Sequence, residues 1–170
     1  MAEEFTLTGQ SFTNRGKRTD EMLEVMALLM AGGMVEYHGR YFDFPPMQMA
    51  PATRVPVPVW IGGHSDIALQ RAARHDGWLG VNYDFEDIAP LLTKLTEYRK
   101  QAGREHVPFE TLVTLNETPS ADAMRRLRDM GITCYNNPPW LFNGIVSSDL
   151  ATKRATLESF ATDVIAKVND

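Results

Sequence analysis

The residues with the clearest chemical potential sit at one corner, Pro56 to Leu69, "PVPVWIGGHSDIAL". An apolar run ends in Gly62-Gly63, and His64, Ser65 and Asp66 follow before a helical pattern begins. Glycine lets the backbone turn sharply and lets a ligand approach closely. Amides opening a helix carry partial positive charge, so a phosphate or another anion is the natural occupant. Ser65 offers a hydroxyl and His64 a donor, whereas Asp66 argues mildly against an anion. Spacing alone leaves open a plain turn and cap. A second group, "YNNPPW" from Tyr135 to Trp140, follows an apolar strand pattern. Tyr135, Asn136 and Asn137 offer hydrogen bonds and Trp140 a stacking surface, or the segment is a proline-stiffened turn with an aromatic plug. Asn82-Tyr83 and Asn116-Glu117 are weaker candidates of the same kind. No general base stands out, so the catalytic residues are unknown at this level. His38, His75 and His106 are scattered, none at metal-ligand spacing, so no metal is expected. Cys134, in a predicted strand, reads as buried and inert.

These groups need a scaffold. Met22, Leu23, Met26, Leu29 and Met30 recur three and four apart and predict a core-packed helix over Thr19 to Ala31, capped by Thr19 or Asp20 and stopped by Gly32-Gly33. Val35 to Phe44 reads as a hairpin turning at His38-Gly39-Arg40. The unalternating Val57 to Ile61 predicts a strand buried on both faces. Further strands are predicted over Trp78–Val81, Thr111–Leu115 and Ile132–Tyr135. Helices are expected after Ser65, after Asp84, from Thr118-Pro119, and from Ser148 or Asp149. The last carries Leu157, Phe160, Ala161, Val164, Ile165 and Val168 on one face. Strands alternating with helices imply a parallel α/β sheet.

The chain has 170 residues, enough for one domain, and a net charge of -5, which gives no reason to expect nucleic acid. The basic cluster Arg15, Lys17 and Arg18 is short and reads as a solvated stretch. A single cysteine rules out an internal disulfide and fits a cytoplasmic protein. The opening "MAEEF" is no signal peptide, and "MLEVMALLM" is too short to cross a bilayer, so no membrane is expected.

Three segments together resemble the bacterial luciferase-like monooxygenases, including their deazaflavin-dependent branch. They are "RGKRTDE" opening the long helix, "HGRYFDF", and "PVPVWIGGHS…ALQRAARHDGWLG", in order between Glu3 and Val81. The resemblance implies a (β/α)8 TIM barrel that binds FMN or the 5-deazaflavin coenzyme F420 at the C-terminal strand ends. It implies that the cofactor phosphate rests at Gly62, Gly63, His64 and Ser65, with further contacts at Gly80 and Val81.

A full barrel takes about 250 residues. The expectation is therefore a partial barrel, a single domain over 1–170. It comprises an N-terminal helix region (1–34), a hairpin insertion (35–55) and four C-terminal βα units (56–170), with strands one to four missing. Its open edges and apolar inner face predict a homodimer, or pairing with a complementary half-barrel chain, unless the chain is a piece of a longer protein. If active, it is a flavin- or F420-dependent oxidoreductase acting on a small molecule. The alternative is a non-catalytic remnant that serves as an interaction or phosphate-ligand binding protein.

Overall fold

A computed structural model describes residues 2–142 and 149–168. The chain divides into two compact units, Met1–Val57 and Pro58–Asp170, close to the boundary between the predicted insertion and the βα units.

In the first unit, α1 (Ala2–Leu7) precedes α2 (Arg15–Ala31) and an antiparallel hairpin of β1 (Val35–His38) and β2 (Asp43–Met47). Helix α2 begins at Arg15, four residues before the predicted start at Thr19, with Asn14 at its N-cap. Its first turn is polar, and periodicity of apolar side chains is blind to such a turn. Gly32, at φ +83°, ends it as expected. Of its predicted apolar stripe Met22 is exposed and Leu23, Met26, Leu29 and Met30 are only half-buried, while the buried residue of the helix, Val25, lies outside the stripe, which corrects the expectation of a core-packed face. The hairpin turns where predicted, with Gly39 N–H donating to Phe42 O. Glu21 of α2 accepts from the amides of Tyr41 and Phe42, both at 2.8 Å, and so ties this turn to the helix.

In the second unit, four parallel strands lie in chain order. They are β3 (Trp60–Gly62), β4 (Gly77–Tyr83), β5 (Glu110–Leu115) and β6 (Cys134–Tyr135). Helices α3 (Asp66–Ala72), α4 (Phe85–Gln101) and α5 (Ala121–Asp129) alternate with them. After β6 come a short α6 (Pro139–Phe142) and α7 (Leu150–Phe160). The latter continues into a π-helical turn, Ala161–Ile165, and a last helical turn, Ala166–Val168. This α/β arrangement with its parallel four-stranded sheet is compatible with part of a luciferase-like barrel.

Register and burial separate the two sheet faces. Ile61, Trp78 and Thr111 align across the strands, as do Gly80 and Val113, and all are buried. Leu69 and Ala72 of α3, Ile88 and Leu95 of α4, and Leu127 of α5 are buried with them. Burying each large apolar side chain contributes roughly 1.5–3 kcal/mol. The alternate residues Trp60 and Val81 are 37% and 52% exposed, and Leu79, Leu112 and Thr114 are half-buried, so one face is much less covered.

The first strand is shorter and wetter than predicted. Pro56 and Pro58 have no amide to donate, Val57 is exposed, and pairing begins at Trp60. Val59 is held instead by Asp76, whose carboxylate accepts its N–H and whose own N–H donates to Val59 O, each at 3.0 Å. Helix α5 is capped by Ser120, two residues after the predicted Thr118, with Pro119 outside the helix. Asp149 caps α7, accepting from Thr152 N at 2.8 Å, while the alternative Ser148 lies outside the described residues. The predicted apolar face of this last helix is only partly covered. Val164 is buried, but Leu157 and Ile165 are about half exposed.

Candidate functional site

The loop after β3 is shaped by three side chains. Ser65 accepts from Ala68 N at 3.3 Å, the N-cap the sequence predicts. Its hydroxyl hydrogen is left to donate elsewhere. Gly63 has φ +114°, a backbone conformation that L side chains rarely adopt, and a Cβ there would lie 2.9 Å from that of Ala68. Trp78 Nε1–H donates to the Gly63 carbonyl at 2.8 Å. Gly62, Gly63, His64 and Ser65 are all exposed. Lys94 Nζ lies 2.8 Å from Asp66 Oδ1, and its hydrogen bond and charge hold that carboxyl below its ordinary pKa. The ion pair offsets the negative charge that counts against an anion here.

Gly80 and Val81 part company. Gly80 is buried under two rings, Trp78 and Tyr83, stacked at 5.9 Å with 26° between their planes. Its missing side chain makes room for them, since a Cβ would lie 2.5 Å from each. Val81 has the opposite strand parity and belongs to the less covered face.

The strand ends of β4 and β5 are laced by amides. Asn82, at φ +59°, donates its N–H to Thr114 Oγ1 at 2.7 Å. Asn116 Nδ2 donates to Asn82 O at 3.2 Å and to Asp84 Oδ1 at 3.1 Å. Asn137 Nδ2 donates to Leu115 O at 3.0 Å, and Asn136 N–H to Val113 O at 3.1 Å. These groups hold loops in place, and Asn136 keeps an exposed side chain.

The structure does not bring Tyr135 and Trp140 together with the glycine loop. Tyr135 lines a groove of about 410 Å³ with Met124, Leu127, Cys134, Phe160 and Val164, between α5 and the last helix. Burial pushes its phenol up from the ordinary value. Cys134, expected to be buried, is half-exposed in the same groove. Trp140 meets the Lys153 ammonium 5.4 Å from its ring centre. Among the described residues, no group of His, Cys, Asp and Glu is arranged to hold a metal. His38 is exposed in the hairpin, between Asp43 at 2.6 Å and Glu36 at 3.0 Å. Among the described residues, no helix is long and apolar enough to cross a membrane.

Sequence reasoning missed Trp78 and Lys94. The signal for Trp78 was the glycine two residues on, because a large ring beside a bare position on one strand face fills the gap. Lys94 lies 28 residues from Asp66, on the next helix, where no local pattern reaches.

Uncharacterized proteins of Mycobacterium bovis and of two strains of Mycobacterium tuberculosis are each 38% identical to this chain over 169 residues. The alignments cover 98% of this chain and 58% of each relative, so the chain spans less than three fifths of their length. The sequence model described as luciferase-like monooxygenase matches residues 1–141, and the chain belongs to that family.

Proposed function

We propose that the chain is a luciferase-like oxidoreductase of the monooxygenase type that binds a reduced flavin, FMN or coenzyme F420, by its phosphate at Gly62 to Ser65. The carrying observation is the exposed loop at the C-terminal end of β3, with Gly63 at φ +114° and no room for a side chain. In a family member, such a loop is where backbone approaches a phosphate closely. Amides of the loop would donate to phosphate oxygens, the Ser65 hydroxyl would add a donor, and Lys94 would keep Asp66 neutralised. Once bound, the coenzyme supplies hydride transfer or oxygen activation, and the protein orients it and excludes water. A reducing cytoplasm goes with this reading, since the sequence has a single cysteine.

Titration with FMN and with F420, followed by coenzyme fluorescence, tests it. Saturable binding that is lost in Gly63→Asp supports the reading. No binding of either coenzyme by the folded protein overturns it, and binding of inorganic phosphate alone makes this a phosphate-ligand module.

The less covered sheet face, with Trp60 and Val81 exposed, favours a second reading. A half barrel of this kind would pair with a second copy of itself and act through that interface. Light scattering after size exclusion checks this. A dimer is expected, a monomer at micromolar concentration contradicts it, and assembly only with a separate half-barrel chain replaces the copy by that chain.

A further inference from the structure

Trp78 is fully buried, yet its indole N–H serves another segment, donating to the Gly63 carbonyl fifteen residues earlier. In a trans peptide the carbonyl and the next N–H point in opposite directions. A Gly63 carbonyl held from the buried side therefore turns His64 N–H toward the exposed side. Among the described residues that N–H has no protein acceptor. The indole itself has little freedom. It is stacked on Tyr83, and Gly80 leaves only enough space for the two rings. Tyr83 O in turn accepts from Asn116 N–H at 3.0 Å, which links the strand ends of β4 and β5 to the same ring pair.

We propose that Trp78 is a positioning residue for phosphate recognition: by fixing the Gly63 carbonyl, it presents the His64 N–H to the phosphate of the bound coenzyme. This rests on the phosphate reading of the Gly62–Ser65 loop. Without the indole donor, the Gly63–His64 peptide is free to rotate, and its N–H no longer points at the anion. The ring packing has no such directional effect.

Trp78→Phe keeps an aromatic ring and removes the donor. Affinity is measured for FMN against riboflavin, and for F420 against its phosphate-free chromophore. The wild-type protein should prefer the phosphorylated member of a pair. The variant should lose about tenfold of that preference, equivalent to about 1.4 kcal/mol, with affinity for the phosphate-free member nearly unchanged. An undiminished preference overturns the role of Trp78 and leaves the loop reading standing. A wild-type protein without any preference overturns the loop reading, and the role of Trp78 with it. If Trp78→Phe does not fold, the wild-type indole N–H resonance decides. It should shift with FMN and not with riboflavin, and a resonance unmoved by bound FMN contradicts the proposal.

Discussion

Substituting Gly80 by alanine adds one methyl group where there is no room. On the observed backbone its Cβ lies 2.5 Å from Trp78 Cη2, 2.5 Å from Tyr83 Cε2 and 2.7 Å from Trp78 Cζ2. Ordinary carbon contacts are about 3.5–4.0 Å. Gly80 is not at positive φ, so backbone strain plays no part. Trp78 cannot retreat, being fully buried and tied to Gly63, whereas the half-buried Tyr83 can swing away at the cost of the ring stack. Overpacking costs about 1–3 kcal/mol. The stiffer unfolded chain returns about 0.4–1 kcal/mol. The net expectation is a destabilisation of about 1–2 kcal/mol, a fall in Tm of roughly 2–8 °C for a chain of this size. Urea unfolding followed by tryptophan fluorescence and circular dichroism measures it. In a Tyr83→Ala background the cost of Gly80→Ala should shrink by about half, because one of the two rings is gone. A Gly80→Ala protein as stable as wild type, or a cost unchanged by Tyr83→Ala, refutes the packing account.

Arg99 is buried, donates from Nη2 to Arg104 O at 2.6 Å and Val107 O at 2.5 Å, and lies 4.1 Å over the Phe109 ring. Arg99→Met should destabilise by about 2 kcal/mol in urea unfolding, and a cost near zero would show that water replaces the guanidinium freely. The hydrogen bonds to Asp43 and then Glu36 raise the His38 pKa above its ordinary 6.5. Its support for the hairpin is therefore complete below that value and fades as pH rises through the raised folded pKa. An NMR titration should show the raised midpoint, and its fall in Asp43→Asn; a midpoint unmoved by that change rules out the pair. Lys94→Gln should raise the Asp66 pKa and weaken FMN binding about threefold at low salt, and a salt-independent or absent effect contradicts the neutralising role.

Much of the scaffold was legible because local chemistry writes it directly. Ser65, Asp84 and Asp149 sit at the starts of α3, α4 and α7, and Gly32 and Gly131 close helices at positive φ. The hairpin turn and the order of the four strands follow from the same kind of signal. What was illegible depends on distant partners. Val57 failed to join a strand because neighbouring prolines and the Asp76 side chain govern entry to the sheet. The apolar stripes of α2 and α7 name a face without saying what covers it, and both remain partly exposed. The π-helical turn at Ala161–Ile165 left no mark in the residue pattern that predicted a continuous helix. In the site, the glycine corner was readable from two residues, but the indole that orients it comes from the next strand.

The central claim is that a coenzyme phosphate sits on the Gly62–Ser65 backbone. Backbone amide NMR of the labelled protein, titrated with FMN and separately with F420, tests it most directly. The account predicts that the largest shifts fall on Gly63, His64 and Ser65, with weaker ones at Val81. Shifts concentrated in the Tyr135 groove, or none at these loop amides while coenzyme binds, would contradict it.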